Sequence, residues 1–311
     1  MLRGVFEAWL RHLDEPDDPK LESLKVFTAL IPLQLATEYV CATLASWHSL
    51  DAGRFPTDGS PLAHGFGIPL QTFLLVLCCS AVVLIPVQLW SRSRRLGRLG
   101  ALALALSMVV ATFPRSGNHL YLVVVILGLC VRLEFGSDAM RDLLARSLRW
   151  ILVVVLFFSG LQKLAHGFYL DGQMLAYLGD RDGYSGLLSL LAPEAEVHRL
   201  AALPRTQGGG PFSTTAPLLL VASNLTYVAE MALPFLLLSA KSRRFAVPAT
   251  FGLILVIEVF AREVFFGLWF SALLLLFVRP AVARRALWVV VLTDVGLVLV
   301  RLGVLPEASF T

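Results

Sequence analysis

Residues 150–165, WILVVVLFFSGLQKLA, decide the fold, because this apolar run contains a single charged side chain, Lys163. About 20 mostly apolar residues in a helix cross the ~30 Å hydrocarbon layer of a membrane. Similar runs recur along the chain at residues 26–46, 66–90, 97–113, 119–135, 216–240, 245–261, 264–278 and 286–304. We therefore predict an all-α protein, a polytopic transmembrane helical bundle with about nine crossings.

The composition agrees with this prediction. Hydrophobic residues make up 57% of the 311 and charged residues only 15%, whereas soluble domains are about half apolar and a quarter charged. The net charge of +4 comes from short clusters of Lys and Arg between the apolar runs. Because such clusters encode membrane topology, we expect the lipid bilayer as a partner and no nucleic acid.

Connections rich in Lys and Arg alternate along the chain with connections that contain few of these residues, as the positive-inside rule requires. The rich ones precede the first run or follow the second, fourth, sixth and eighth, and they contain Arg3, Arg11, Lys20, Lys25, Arg92, Arg94, Arg95, Arg98, Arg132, Arg141, Arg146, Arg149, Lys241, Arg243, Arg244, Arg279, Arg284 and Arg285. This alternation places the N-terminus in the cytoplasm, and we expect the membrane to be a bacterial inner membrane.

The domain organisation follows from the same pattern. Residues 1–23 comprise a cytoplasmic amphipathic helix lying on the membrane, with a linker, because their apolar side chains recur at helical spacing. Residues 24–305 form the transmembrane domain, in which 166–215 is a long extracytoplasmic connection that we expect to cover the outer mouth, and 306–311 form a short tail. Arg262 and Glu263 interrupt the run 245–278, which favours two shortened helices over one, although both remain open.

Lys163 is the main candidate for chemistry, since an ionisable side chain within a membrane indicates function by default. Desolvation disfavours the ammonium form, so a lysine in this environment can act as a base. His166 lies three residues further along, near the same helix face. The alternative is a lysine that extends to the interface as a structural residue.

Other polar residues of the predicted helices are weaker candidates. Asn118 and His119 begin the fourth helix on the same outer side, where they can meet Lys163 or serve as a cap and an interfacial residue. Glu258 and Arg262 have the i, i+4 spacing of an ion pair, and Glu230 has no obvious local partner. The histidines show no metal-ligand spacing, so we expect no metal, and the sequon at Asn224 falls inside a crossing, where chance explains it.

Three stretches together resemble the membrane domain of vitamin K-dependent gamma-carboxylase and its bacterial relatives, the HTTM (horizontally transferred transmembrane) proteins. They are NHLYL at 118–122, SGLQKL at 159–164 with Asp171-Gly172 after it, and the phenylalanine spacing of residues 258–270. The resemblance covers about residues 20–280. It implies that Lys163 is the base that deprotonates a reduced quinone of the vitamin K or menaquinone type, and that His119 with Asn118 supports it.

Two functions follow as hypotheses. In the first, the chain is a quinol-dependent, carboxylase-like membrane enzyme with an outward-facing pocket. The catalytic residues are then Lys163, His119 and Asn118, and the residues expected to bind the substrate are His166, Glu258, Arg262, Glu263 and Glu230. The carboxylases continue into a large extramembrane domain that helps to hold the protein substrate, so the resemblance favours the quinol chemistry more than the carboxylation of a protein glutamate. The expected partners are a quinol and a secreted peptide or protein substrate. In the second, the chain is non-catalytic and acts in maturation, export or immunity of a secreted peptide.

Overall fold

The computed structural model describes residues 21–51, 70–89, 94–112, 118–167, 169–182, 189–203, 214–261 and 264–301. Every regular element in these ranges is a helix, which confirms the all-α prediction. The α-helices are α1 (Glu22–Asp51), α2 (Leu70–Leu89), α3 (Arg94–Thr112), α4 (Asn118–Leu133), α5 (Asp138–His166), α6 (Gln173–Asp182), α7 (Glu194–Ala201), α8 (Pro217–Leu238), α9 (Arg243–Ala261), α10 (Val264–Leu274) and α11 (Pro280–Arg301).

Each predicted apolar run falls largely within one of these helices, and a 3₁₀ turn, Leu275–Phe277, extends α10. Within the described ranges, α5 and α8 are long and apolar enough to cross a membrane, and shorter apolar helices occupy Leu120–Leu133 and Phe266–Phe277. The predicted N-terminal amphipathic helix and the tail at 306–311 lie outside the described residues.

Helix α5 begins well before the predicted run at residue 150. Asp138 occupies its first turn, where a negative charge interacts favourably with the helix dipole. Arg141 forms an ion pair with Asp138, and Arg146 forms one with Asp142, at i, i+3 and i, i+4 spacing. Such pairs stabilise an exposed helix, so a segment that the charge pattern marks as a connection is helical.

The run 245–278 forms two helices, α9 and α10, that contact each other. Residues 262 and 263, where we predicted the turn, lie outside the described residues. A single helix over this run would hold an arginine and a glutamate near mid-bilayer, which is costly. The run thus contains two helices, while their placement in a membrane stays a prediction.

The chain divides into two compact units, and the first comprises the described residues up to Leu148 and those from Val278 onward. In this unit α1 contacts α2 and α11, and α3 contacts α2 and α4. Glu22 forms an ion pair with Arg284, and the Ser23 hydroxyl donates to the Val278 carbonyl over 3.3 Å. These polar contacts join the start of α1 to the start of α11.

The second unit, Arg149–Phe277, contains most of α5 and helices α6 to α10. Helix α6 contacts α7, and α9 contacts α8 and α10. A small apolar core joins α6, α7 and the start of α8 and consists of Leu175, Ala176, Ala192, Val197, Leu200, Ala216 and Leu219. The predicted connection 166–215 therefore contains short helices with a core of their own, while its role as a cover for the outer mouth stays a prediction.

Candidate functional site

Lys163 lies in the last turn of α5, within the second unit. Its ammonium forms an ion pair with the Glu230 carboxylate of α8 and donates to the Ser159 hydroxyl over 3.1 Å. The ring of Tyr169 lies 5.4 Å from Nζ, within the range of a cation–π interaction. The side chain of Glu230 is 1% exposed and that of Lys163 is 18% exposed. The structure thus brings together a titratable acid and base, a hydroxyl and an aromatic ring.

Gly160 allows α5 and α8 to approach closely beside this ion pair. A Cβ at this position would lie 2.7 Å from the Tyr227 carbonyl oxygen, 2.8 Å from Met231 Cγ and 3.0 Å from Glu230 Cβ. A real Cβ essentially never lies within 3.0 Å of another heavy atom, and the nearest contact here involves backbone, which cannot move aside cheaply. The glycine before the lysine in the SGLQKL stretch is therefore a requirement of the helix–helix contact that holds Glu230 against Lys163.

Helix α5 ends in a turn that carries Tyr169 back toward the lysine. Gly167 has a φ of 75° and donates its N–H to the Lys163 carbonyl over 3.2 Å, which ends the helix in the left-handed conformation that glycine favours. Gly172 has a φ of 78°, and Asp171 accepts the N–H of Gln173 over 3.0 Å at the start of α6. The Asp171-Gly172 pair thus serves this reversal of the chain.

Polar side chains of α8 hold this turn in place. The Ser223 hydroxyl donates to the Tyr169 carbonyl over 2.6 Å, and the Asn224 amide donates to the Leu170 carbonyl over 3.1 Å. The Tyr227 hydroxyl donates to Asn224 Oδ1 over 2.8 Å. These bonds fix the backbone of Tyr169, so α8 positions the aromatic ring as well as the carboxylate of Glu230.

A second polar cluster lies at the junction between α7 and α8. Glu196 accepts hydrogen bonds from Arg199 Nε over 2.7 Å, Arg199 Nη2 over 2.8 Å and the Thr215 N–H over 2.8 Å. The Thr214 hydroxyl also donates to it, over 3.2 Å. Hydrogen bonding to Arg199 above all, and then to these threonines, lowers the pKa of Glu196 to about 2. The ionised carboxylate therefore attaches α7 to the segment that leads into α8.

The predicted site residues meet only in part within the described structure. Lys163 and Glu230 are in contact, and His166 lies one turn beyond Lys163 with an exposed side chain. Asn118 and His119 begin α4 as predicted, but their side chains lie outside the described residues, as do that of Glu258 and the whole of Arg262 and Glu263. No group of three or more His, Cys, Asp or Glu side chains suited to a metal ion occurs in the described ranges.

Sequence reasoning missed the polar residues of α8 other than Glu230. Ser223, Tyr227 and Glu230 recur at i, i+4 and i+7, which places them on one face of an otherwise apolar helix. That spacing was the available signal, and Asn224 beside it was attributed to a chance sequon. The contacts of Tyr169 had no signal, because they depend on the turn that follows α5.

Comparison of the chain with protein-family models, with curated proteins and with solved structures finds no match. The fold and the site by themselves define an all-α protein in which two described helices of membrane-spanning length are joined by an ion pair between a partly exposed lysine and a buried glutamate. The resemblance to the HTTM proteins stays a prediction.

Proposed function

We propose that this chain is a membrane-embedded enzyme that binds a quinol or a similar lipid-like hydroxylated substrate beside Lys163 and takes up its proton. The observation that carries the proposal is the contact between Lys163 and Glu230, two ionisable side chains held on apolar helices of membrane-spanning length. An ion pair in such surroundings costs several kcal/mol of desolvation per charge. A function in proton transfer accounts for that cost.

We further propose that about nine helices cross the membrane, with the N-terminus in the cytoplasm of a bacterium. The exposed side chains of α5 and α8 support this placement, since they include Trp150, Val154, Phe158, Val221 and Leu225. Apolar side chains exposed along whole helices are unfavourable in water and ordinary in lipid. Lys163 then lies about 21 Å along α5 from Arg149, at 1.5 Å per residue, which keeps it inside a ~30 Å hydrocarbon layer.

The groups around Lys163 fit a quinol. The ammonium, the carboxylate and the Ser159 hydroxyl can exchange protons and hydrogen bonds with a ring hydroxyl, and Tyr169 offers an aromatic face. Lys163 is partly exposed, so a ligand can reach its Nζ, whereas the Glu230 side chain is buried. A quinol supplies an acidic hydroxyl and reducing equivalents when bound.

The pair can act as a base without releasing a charge into the membrane. Transfer of one proton from Lys163 Nζ to Glu230 converts ammonium and carboxylate into an amine and a carboxylic acid, and a low dielectric favours the neutral forms. The amine then accepts the substrate proton at Nζ, while Glu230 keeps the proton that it received. One proton leaves the substrate, and the pair gains one positive charge beside the anion that it creates.

The ion pair also supports a second candidate, a non-catalytic role in maturation, export or immunity of a secreted peptide. A lysine satisfied by a carboxylate, a hydroxyl and an aromatic ring is a stable structural element. In this case the pair joins α5 to α8 and takes part in no reaction. The two candidates differ in whether Lys163 must lose its proton.

The deciding experiment supplies purified protein in nanodiscs with reduced menaquinone or vitamin K, oxygen, labelled carbon dioxide and a glutamate-rich peptide. We expect quinone epoxide formation by the parent protein and its loss in Lys163→Ala and in Lys163→Arg, because arginine keeps the ion pair and does not act as a base at neutral pH. Gln162→Ala removes an exposed neighbour on the same helix and serves as the matched control.

No turnover with any quinol, together with full function of Lys163→Arg in the host cell, would reject the enzyme and favour the structural role. Loss of turnover in Lys163→Ala alone, with Lys163→Arg active, would show that the positive charge matters and proton transfer does not. Retained activity in Gln162→Ala is required for either interpretation, since it shows that α5 tolerates a change near the site.

A further inference from the structure

The turn between α8 and α9 carries a concentration of positive charge. Lys241, Arg243 and Arg244 lie within four residues of one another, and the stretch 231–257 contains no acidic residue. The side chains of Lys241 and Arg244 are exposed, and that of Arg243 is half-buried. We call these three residues the basic turn. No carboxylate within residues 231–257 compensates the charge of the basic turn.

A fourth cation from α5 joins the basic turn through a shared aromatic ring. The guanidinium carbon of Arg243 lies 5.8 Å from the centroid of Phe277, and that of Arg149 lies 5.9 Å from the same centroid. Both arginines also cap backbone carbonyls at the ends of helical segments. Nε of Arg243 donates to the Leu237 carbonyl at the end of α8 over 2.9 Å, and Nε of Arg149 donates to the Leu276 carbonyl in the 3₁₀ turn over 2.8 Å. Three segments of the second unit thus converge on one positively charged cluster.

Exposed apolar side chains flank this cluster on both sides along the chain. Phe235 is 57% exposed and Leu236 is 45% exposed at the end of α8, and Phe245 is 66% exposed at the start of α9. Trp150, next to Arg149, is 54% exposed. Aromatic side chains and cations at the same level mark the boundary of a membrane, where rings lie at the headgroups and apolar side chains contact acyl chains.

From this arrangement we propose that the basic turn and Arg149 bind the headgroup of an anionic phospholipid from the bilayer. The cations can bind a phosphate group and compensate its negative charge, and the exposed phenylalanines and leucine can contact the acyl chains. Free phosphate would satisfy only the first of these features, whereas a diacyl lipid satisfies both. The proposal rests on the membrane placement proposed above and is independent of the quinol reaction.

The test measures lipid retained by the protein after purification from mixed micelles of phosphatidylglycerol and phosphatidylcholine. The variant Lys241→Gln/Arg244→Gln removes two exposed charges and leaves the capping arginines in place. Arg95→Gln/Arg285→Gln, on α3 and α11, removes the same net charge from exposed positions and is the matched control. About 1 kcal/mol per cation corresponds to about fivefold in affinity, so we expect enrichment of phosphatidylglycerol to fall about 25-fold in the first variant and to change little in the control.

Equal loss of enrichment in both double variants would overturn the proposal, because it would reduce the effect to general surface charge. Displacement of the bound lipid by inorganic phosphate at millimolar concentration would also overturn it, since the site would then be one for a free anion. Equal retention of both lipids would reject the headgroup site while leaving the membrane placement intact. A parent protein that stays out of the membrane fraction would reject the membrane placement itself, and the lipid site with it.

Discussion

The two units each contain a buried ion pair, and the pairs differ in chemistry. In the first unit, Arg98 is 2% exposed and its guanidinium donates to both oxygens of Glu134, over 2.9 Å and 3.3 Å, and to the Thr28 carbonyl over 2.6 Å. In the second unit, Lys163 presents a single nitrogen to Glu230 and remains 18% exposed. The arginine joins α3 to α1 and to the residue that follows α4 through several bonds, whereas the lysine joins two helices and stays partly exposed.

This difference separates a structural pair from one that can take part in a reaction. A guanidinium keeps its proton at every physiological pH, so the Arg98–Glu134 pair can only hold α3 to Glu134, the residue that follows α4. An amine beside a carboxylate can pass its proton to that carboxylate and accept another. Burial of opposite charges therefore does not by itself indicate function. Whether such a pair can take part in a reaction depends on the identity of the cation and on its exposure.

The largest expected effect comes from breaking the arginine pair. Arg98→Met leaves Glu134 with an uncompensated charge, and loss of one partner of a buried pair costs about 3–5 kcal/mol. Thermal unfolding in detergent should show a large fall in the midpoint. Arg98→Met/Glu134→Met removes both charges and should recover most of the loss. A single variant as stable as the parent would contradict the assignment of this pair as a structural link.

Exchanging the two cations sharpens the comparison further. Arg98→Lys keeps the charge but loses the forked geometry, so we expect a loss of about 1.5–3 kcal/mol, the contribution of a hydrogen bond to a charged group. Lys163→Arg keeps its ion pair with Glu230, so we expect little loss of stability together with loss of quinol turnover. Unfolding and turnover are measured on the same two preparations. Turnover that survives in Lys163→Arg would place Lys163 in the same structural class as Arg98.

The close approach of α5 and α8 can be tested without altering a charge. Gly160→Ala forces a Cβ to within 2.7 Å of the Tyr227 carbonyl, and overpacking of this kind costs about 1–3 kcal/mol. Gly252→Ala in α9, where no atom of the described residues lies within 4 Å of the added Cβ, is the matched control and should be neutral or stabilising by about 0.5–1 kcal/mol. Equal midpoints of unfolding for the two variants would show that the helices do not meet at Gly160.

The helices were predictable from the sequence because their signal is local. Apolar runs locate both ends of α8 and the end of α5 within a few residues, whereas α5 starts at Asp138, well before its predicted run. Lys163 is conspicuous as a single charge in an apolar run. The partner of Lys163 was not predictable, since Glu230 lies 67 residues further along and only the fold brings it near. Glu230 was a candidate on chemistry alone.

Arg98 shows the opposite limit of sequence reasoning. It was counted among the basic residues that follow the second run, which indicated topology, yet the structure places it inside α3, where it is buried against Glu134. Charge patterns identify which side of a membrane a residue is near, and they do not distinguish an exposed arginine from one whose carboxylate lies 36 residues away. Gly160 behaves similarly, because a glycine signals a close contact only once the neighbouring helix is known.

The smallest effect concerns a third pair, Glu196 with Arg199, in which the carboxylate is buried and the guanidinium is exposed. The pKa of Glu196 is lowered from 4.5 to about 2, chiefly by the Arg199 hydrogen bond, so the folded state favours the ionised carboxylate. The stabilisation is complete above pH 4.5, where the carboxyl is ionised even in the unfolded chain, and it is lost as the pH falls toward 2. Arg199 is 45% exposed, and a solvent-screened pair contributes little.

Hydrogen exchange of the α7 amides is the appropriate measurement, because it reports on this junction and not on the stability of the whole chain. We expect protection in the parent to weaken between pH 4.5 and 2, after correction for intrinsic exchange, and to be weaker and less pH-dependent in Glu196→Gln. Glu194→Gln changes the exposed acid two residues earlier and should retain the parent profile. A parent profile in Glu196→Gln would mean that α7 is held by the apolar core around Val197 and Leu200 alone, and that the Glu196–Arg199 pair adds no measurable stability.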